Sequence, residues 1–83
     1  MKVQVKYFAS IREALGTGSE EVQTVASTIA GLRDELIARG GVYAESLIRG
    51  RAVRIALNKT LAVETAPLTE GAEVAFFPPV TGG

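Results

Sequence analysis

The sequence predicts one α+β domain in which a mixed β-sheet carries one main helix packed on one face. Segments near both ends alternate polar and apolar residues, as half-buried strands do. Between them, residues 27–41 place apolar side chains at helical spacing. At 83 residues, the chain has room for a single hydrophobic core.

The N-terminal segment predicts two strands joined by a modest connection. The stretch MKVQVKY alternates polar and apolar residues, so its strand would bury one face. A second strand is expected near 20–25. Its carboxylate pair, Glu20-Glu21, and the pair Asp34-Glu35 on the main helix are both interpreted as solvated surface with no basic or buried neighbour.

Two helical segments follow from capping residues and apolar spacing. Ser10 and Glu13 have the spacing of a capping box, which predicts a helical turn at about 11–15 that ends at Gly16. The stretch VYAESLIRG, beyond the main helix, predicts a further short helix or an irregular turn.

The main helix is predicted between a polar cap and a glycine pair. Ser27 or Thr28 can cap it, and Gly40-Gly41 end it. Gly31 inside the helix is unfavourable by about 1 kcal/mol relative to alanine, which suggests close packing against the sheet. The apolar stripe comprises Ile29, Leu32, Leu36 and Ile37.

The C-terminal third predicts the remaining strands. AVRIALN alternates with Val53, Ile55 and Leu57 inward, and Asn58-Lys59 forms a tight turn into a short strand at 60–64. EVAFF, at 73–77, is the final strand. The order of elements allows the last strand to pair parallel to the first, which is the β-grasp (ubiquitin-like) arrangement. We expect this domain to span 1–77, followed by an extended tail over 78–83.

Composition argues against a self-contained enzyme. The chain has no cysteine and no histidine, so it lacks cysteine nucleophiles, zinc-thiolate sites, the commonest general base and the commonest metal ligand. Nine basic residues balance nine acidic ones, which gives no support for a nucleic-acid partner. No apolar stretch has the length of a membrane span or of a secretory signal, so we expect a cytoplasmic protein without a membrane or metal partner.

Two groups of side chains are candidate interaction surfaces. By alternation, Phe8 and Phe77 lie opposite the core residues of their strands, and Leu61 can join them on one exposed apolar face. We interpret this face as an interface; the alternative is that a loop or the Arg12 side chain covers it. A basic cluster is interpreted as solvated surface, with a partner or anion patch as the alternative; it comprises Arg49, Arg51, Arg54 and Lys59.

The last six residues have the features of a narrow, extended probe. The double proline at 78–79 stiffens the exit from the sheet, and Val80 and Thr81 favour extended backbone. Gly82 and Gly83 remove all side-chain bulk, so a channel too narrow for a Cβ atom could admit the carboxyl group. Activated by a partner enzyme as an acyl adenylate, that group could become a thioester, an amide or a thiocarboxylate. The alternative is an inert, flexible end.

Four stretches resemble the small subunits of molybdopterin synthases: FASIREALGT, NKTL, PLTEGAEV and FFPPVTGG. The resemblance runs from Val3 to Gly83. It implies that an adenylating enzyme similar to ubiquitin-activating enzymes uses ATP to activate Gly83, and that a sulfur donor protein then converts the glycine to a thiocarboxylate. The tail would enter the large synthase subunit and give its sulfur to cyclic pyranopterin monophosphate. The implied assembly is a heterotetramer with no cofactor bound by this chain.

The resemblance also assigns roles to individual residues. Phe77 and Leu61 match apolar positions of the family's docking face, and Arg12 matches the arginine of its FA-x-x-RE stretch. Gly83 would carry the acyl group, and the large subunit would supply the catalytic residues. One departure is Gly71-Ala72, where the family usually has Gly-Asp; we expect this to affect the stability of a turn more than function.

Three alternatives remain open from the sequence. The chain could carry sulfur for another pathway, such as thiamine synthesis or tRNA thiolation. It could be a ubiquitin-like modifier joined through Gly83 to lysines of target proteins. It could also be a plain interaction domain with an inert tail.

Overall fold

The computed structural model describes residues 1–79. The predicted roles of Val80, Thr81, Gly82 and Gly83 therefore lie outside the described residues. In chain order the secondary-structure elements are β1 (Lys2–Tyr7), α1 (Ala9–Leu15), β2 (Ser19–Gln23), α2 (Ile29–Ile37), α3 (Gly41–Leu47), β3 (Arg54–Leu57), β4 (Thr60–Ala62) and β5 (Glu73–Phe77).

The strands form one five-stranded sheet in the order β2-β1-β5-β3-β4. Strand β5 lies in the middle, parallel to β1 and antiparallel to β3. The two hairpins, β1-β2 and β3-β4, are antiparallel and lie on either side of β5. The predicted α+β, β-grasp arrangement and the parallel pairing of first and last strands are thus confirmed.

The hydrophobic core lies between the helices and one face of the sheet. Val5, Leu32 and Phe76 are fully buried there, and the rings of Tyr7 and Phe76 stack with centroids 6.3 Å apart. Burial of one such side chain contributes about 1.5–3 kcal/mol. We call the opposite face of the sheet, which has no helix packed on it, the open face.

Helix α1 begins earlier than predicted and without the predicted capping box. Its N-cap is Phe8, which makes no side-chain capping bond, so the proposed role of Ser10 is wrong. The Phe8 N–H donates to the Phe76 carbonyl oxygen at 3.2 Å, which keeps Phe8 extended as a continuation of β1. The helix therefore follows directly on the strand. Gly16 ends it in the left-handed conformation, as predicted.

Helix α2 has the predicted threonine cap. The Thr28 hydroxyl oxygen accepts a hydrogen bond from the Gly31 N–H at 3.3 Å. A Cβ atom at Gly31 would lie 2.9 Å from the Ala26 Cβ atom, closer than atoms pack. The predicted close packing of Gly31 is confirmed, but its neighbour is the segment before the helix rather than the sheet.

The β3-β4 hairpin turns at Asn58 and Lys59, as predicted. Both residues have positive φ angles, 50° and 71°, which is the conformation of a type I′ turn. The Asn58 side-chain oxygen accepts from the Glu73 N–H at 3.0 Å, and the Asn58 N–H donates to the Glu73 carbonyl at 2.8 Å. These two bonds join the turn to β5.

The prediction that the paired carboxylates are solvated surface with no basic or buried neighbour is wrong for Asp34, which forms an ion pair with an arginine, and for Glu20. Its carboxylate accepts hydrogen bonds from the hydroxyls of Tyr7 and Tyr43, both at 2.8 Å, and from Arg39 at 2.9 Å. Burial by itself would raise the pKa of Glu20, but these three donors outweigh it and hold the pKa below its ordinary value. Glu20 therefore ties β1, β2 and α3 together at one end of the sheet.

Arg33 of α2 is buried, which the sequence pattern did not predict. Its side chain is 4% exposed, and its Nε donates to the Leu47 carbonyl oxygen at 2.7 Å. A second nitrogen donates to the Ile48 carbonyl, and Glu64 forms an ion pair at 3.6 Å. Arg33 thus satisfies backbone acceptors where α3 ends.

None of the helices within residues 1–79 has the length and apolar character that crossing a membrane requires.

Candidate docking face and tail exit

Strand β5 directs the chain out of the sheet beside β3. Phe76 points into the core and is fully buried, so Phe77, the next residue, lies on the open face. In the ladder, Phe77 is paired with Arg54. Pro78 and Pro79 follow and are partly buried. Because proline has no N–H to donate, the ladder ends here, and we call Phe77–Pro79 the tail exit.

Leu61 lies on the same open face as Phe77. The register pairs Ala56 with both Leu61 and Ala75, so these three side chains share one side of the sheet. Phe77 lies two residues beyond Ala75 and thus on that side as well. Leu61 is 67% exposed, which is unusual for a large apolar side chain on a small domain.

Phe8 lies next to the tail exit at the end of β1. It follows Tyr7, which is paired with Phe76, and its extended backbone continues the alternation onto the open face. Phe8 is 46% exposed. The Arg12 side chain packs instead over Gly18, with its Nε 3.1 Å from the position of a Cβ atom there. The structure therefore brings Phe8, Phe77 and Leu61 to one face, as predicted from alternation.

A cleft of about 320 Å³ lies on the helix side of the tail exit. Ser10 and Ile11 of α1 line one wall, Arg51 and Val53 line the other, and Pro78 contributes from the exit itself. The Arg51 Nε donates to a backbone carbonyl of α3 at 3.1 Å, which orients its guanidinium at this wall. A larger groove of about 760 Å³ runs beside β3 and β4 and is lined in part by Leu61.

The basic cluster predicted from the sequence divides into separate parts. Arg49 forms ion pairs with Asp34 and, at 2.6 Å, with Glu64, so it holds α2 against the segment after β4. Arg54 lies on the open face and Lys59 lies in the β3-β4 turn. The interpretation as one solvated strand face is therefore wrong for Arg49.

The described part of the chain contains no cluster of three acidic side chains that could hold a metal ion. The charged network around Glu20 connects the core face of β2 to α3 and does not line the cleft at the tail exit. The features that this end of the sheet offers a partner are exposed apolar side chains, arginines and a directed chain exit. This arrangement is that of a docking surface.

The topology and the directed exit of β5 define a ubiquitin-like β-grasp domain whose last strand leads out of the fold. The chain belongs to the ThiS family, whose model matches residues 5–83.

Similar proteins share both length and fold with this chain. It is 43% identical over 81 residues to a molybdopterin synthase sulfur carrier subunit of Escherichia coli (strain K12), covering 98% of this chain and 99% of that protein. A solved complex of subunits 1 and 2 of molybdopterin-converting factor from Helicobacter pylori 26695 has a similar chain, with TM-score 0.70, 28% identity and complete coverage of both chains. The crystal structure of SAMP1 from Haloferax volcanii shares the fold, with TM-score 0.78, 22% identity and complete coverage of both chains.

Proposed function

We propose that this chain is the sulfur carrier subunit of a molybdopterin synthase. The observation that carries the proposal is the 43% identity, over nearly the whole of both chains, to a relative named for this role. The directed exit of β5 supports it, because a carrier must present its terminus to other proteins. The absence of cysteine and histidine from the sequence fits a subunit whose partners supply the catalytic groups.

The proposed chemistry takes place at the carboxyl group of Gly83. In the activating enzyme, which would resemble ubiquitin-activating enzymes, the carboxylate attacks ATP and pyrophosphate leaves, which gives an acyl adenylate. The terminal sulfur of a persulfide on a sulfur donor protein then attacks the acyl carbon as AMP leaves. A thiol of the donor cleaves the resulting acyl disulfide, which leaves a disulfide on the donor. The product is a thiocarboxylate, which gives its sulfur to cyclic pyranopterin monophosphate. ATP is thus a substrate of the activating enzyme and not a cofactor of this chain.

The glycines at the terminus are proposed to act through their size. Gly82 and Gly83 have no Cβ, so the terminus can enter a channel that excludes other residues. Val80 and Thr81 extend the reach of the tail, and Pro78 and Pro79 direct it away from the sheet. These roles, and a cytoplasmic location, follow from the proposed function.

The exposed apolar side chains at this end of the sheet are proposed to dock the large subunit. Phe77 lies at the tail exit, and Phe8 and Leu61 expose much of their surface on the same face. Aromatic and aliphatic side chains of this kind carry much of the binding free energy at protein interfaces. Arg12, on the adjacent helix, would contact the partner through its guanidinium. Two copies of each subunit would then form the synthase.

Reconstitution of the synthase tests this proposal. The purified chain, the large subunit, the activating enzyme, ATP and a sulfur source are combined, and molybdopterin formation is measured. Deletion of Gly83, or addition of one residue after it, should abolish product without changing the melting temperature, because the described strand pairs of β5 end at Phe77. Lys59→Ala, in the distant β3-β4 turn, is the matched control and should keep full activity. Undiminished product with the deletion would refute the proposal.

The same components separate the pathway alternatives. If the chain receives sulfur but neither binds the large subunit nor yields molybdopterin, it serves another sulfur pathway. If Gly83 forms isopeptide bonds with lysines of cellular proteins, it is a protein modifier.

A further inference from the structure

The basic residues differ in whether a carboxylate neutralises them. Five of them form ion pairs at 3.6 Å or less with acidic side chains: Lys2, Lys6, Arg33, Arg39 and Arg49. Within residues 1–79, the other four, Arg12, Arg51, Arg54 and Lys59, make no such pair, and all four are exposed. Lys59 lies apart from the three arginines, in the β3-β4 turn. Their positive charge is therefore available to another molecule.

These three arginines lie around the tail exit on different sides. Arg54 is the ladder partner of Phe77, one strand away on the open face. Arg51 lines the cleft on the helix side together with Pro78. Both are thus neighbours of the point at which β5 leaves the sheet.

Arg12 completes the set from the β2 side. It lies on α1 and packs over Gly18, whose carbonyl oxygen accepts from the N–H of Tyr7 at the end of β1 at 3.0 Å. The end of β1 is next to the end of β5, because Tyr7 is paired with Phe76. We call Arg12, Arg51 and Arg54 the basic collar.

The described acidic groups near the collar do not form ion pairs with it. Glu64 lines the groove beside β3 together with Arg54 but pairs with Arg33 and Arg49. Glu13 lies on α1 beside Arg12, and Glu45 lies on α3, where its backbone carbonyl rather than its carboxylate accepts from Arg51. Neither carboxylate forms an ion pair with a collar arginine in the described part of the chain. The formal charge of the whole chain is zero, so the collar is a local positive region on a neutral protein.

We propose that the basic collar binds an acidic rim, made of aspartate and glutamate side chains, around the opening through which a partner protein receives the tail. The inference rests on the proposed function, since a protein that encloses the tail must lie over the tail exit and hence over the collar. Guanidinium groups match carboxylates geometrically and can bind them through two parallel hydrogen bonds. The collar therefore steers the tail toward the opening and fixes the rotation of the domain about the tail.

A protein partner fits the collar better than a nucleic acid does. Protein surfaces that bind nucleic acid contact many phosphates and carry a net positive charge, whereas this chain is neutral and its other basic residues are mostly paired within the fold. Steering by complementary charge raises association rates by about 10- to 1000-fold and weakens as salt rises. An effect on the association rate at low salt is therefore the specific signature of the collar.

Reversing the charge of a collar arginine, and in a control that of Lys59, tests whether the collar speeds association with the partner. Association of the complete chain with the large synthase subunit is followed by stopped-flow fluorescence at low and at physiological salt. Arg54→Glu and Arg51→Glu should each slow association by about tenfold at low salt and flatten its salt dependence. Lys59→Glu makes the same charge change at the opposite end of the β3-β4 hairpin and should change the rate by less than about twofold. Melting temperatures of all variants verify that the fold is retained.

A second measurement does not depend on the identity of the partner. A blocked hexaglutamate peptide is titrated into the ¹⁵N-labelled chain, and backbone amide shifts are recorded by NMR. We expect shifts at residues 8–12, at 51–54 and at Phe77, but not at Lys59. An oligothymidylate of similar charge is the nucleic-acid probe.

The two measurements separate failure of the collar from failure of the proposed function. If the large subunit binds, and Arg54→Glu slows association no more than Lys59→Glu, the collar is refuted and the function stands. If the large subunit does not bind, the hexaglutamate titration tests the collar by itself. Amide shifts confined to the collar support the proposed binding of carboxylates, and the absence of such shifts refutes it. Stronger shifts at the same amides with oligothymidylate would refute the assignment to a protein partner.

Discussion

Replacing Glu20 by glutamine should destabilise the fold, although Glu20 lies near the start of β2 and its side chain is still 22% exposed. In the native protein the Glu20 carboxylate accepts from Tyr7 and Tyr43 at 2.8 Å and from Arg39 at 2.9 Å. A glutamine side chain has one acceptor oxygen in place of two, and its NH₂ group would face a hydroxyl or a guanidinium that also donates. At least one of the three donors would therefore lose its acceptor.

The expected loss of stability follows from the chemistry of these bonds. A hydrogen bond to a charged group contributes about 1.5–3 kcal/mol, and a buried donor left without a partner costs about as much. The Arg39 pair is discounted, because its guanidinium is 37% exposed and surface ion pairs contribute about 0–1 kcal/mol. We therefore expect Glu20→Gln to lower the free energy of unfolding by about 2–3 kcal/mol, which for a domain of this size lowers the melting temperature by roughly 10–20 °C.

The pH dependence gives this prediction a second, independent test. Because the folded-state pKa of Glu20 lies below its ordinary value, the carboxylate stabilises the fold fully above the unfolded-state pKa of about 4.3. That contribution is lost as pH falls through the folded-state pKa. The difference in melting temperature between the native chain and Glu20→Gln should thus be constant near neutral pH and shrink in acid.

Circular dichroism melts over this pH range provide the assay, and Glu21→Gln is the matched control. Glu21 neighbours Glu20 but is exposed and pairs only with Lys2, at 3.6 Å. Its replacement should change the free energy of unfolding by less than about 1 kcal/mol. Equal losses for the two variants, or a loss for Glu20→Gln that persists undiminished in strong acid, would refute the assigned role of Glu20.

Three further substitutions test the packing and the docking face. Gly31→Ala should lower the melting temperature, because the new methyl group would lie 2.9 Å from the Ala26 Cβ atom. Overpacking costs about 1–3 kcal/mol, which exceeds the gain in helix propensity of about 1 kcal/mol. A higher melting temperature would contradict this. Thr28→Ala should lower the free energy of unfolding in urea by about 1 kcal/mol through loss of the α2 cap, and an unchanged midpoint would be inconsistent with that bond. Leu61→Asp should leave the melting temperature unchanged but weaken binding to the large subunit at least about tenfold in calorimetry. The control for Leu61→Asp is Val25→Asp, at a site that is 98% exposed and lies outside the surface formed by Phe8, Phe77 and Leu61. Equal affinities for the two variants would exclude Leu61 from the interface.

Local patterns in the sequence predicted the sheet well. Alternation of polar and apolar residues is a property of each strand alone, so it identified β1 and β3, and the alternate facing of residues in a strand gave the side of the sheet on which each residue lies. The Asn58-Lys59 turn was also visible, since few residue pairs adopt two successive positive φ angles. Placement of Phe8, Phe77 and Leu61 on one face followed from the same alternation.

Contacts between distant segments were not visible in these patterns. Alternation with Val22 places Glu20 on the core face, but its partner Tyr43 is 23 residues away on another element. Arg33 binds backbone carbonyls at the end of α3, and backbone acceptors leave no trace in a sequence. The Ser10 cap failed for a similar reason, because the bond between Phe8 and β5 sets the start of α1.

The basic collar also depends on the three-dimensional arrangement. Arg12, Arg51 and Arg54 belong to α1, to the segment before β3 and to β3 itself, and only the folded chain brings them around the tail exit. In the sequence, the last two formed one cluster with Arg49, whose charge the structure shows to be neutralised by Asp34 and Glu64.

The most direct test of the proposed sulfur carrier is the intact mass of the chain after incubation with the activating enzyme, ATP and a sulfur source. We predict the mass change of one oxygen replaced by sulfur, located by fragmentation at Gly83 and lost on addition of the large subunit with cyclic pyranopterin monophosphate. An unchanged mass, under conditions in which a known sulfur carrier is converted by its own activating enzyme, would contradict the account.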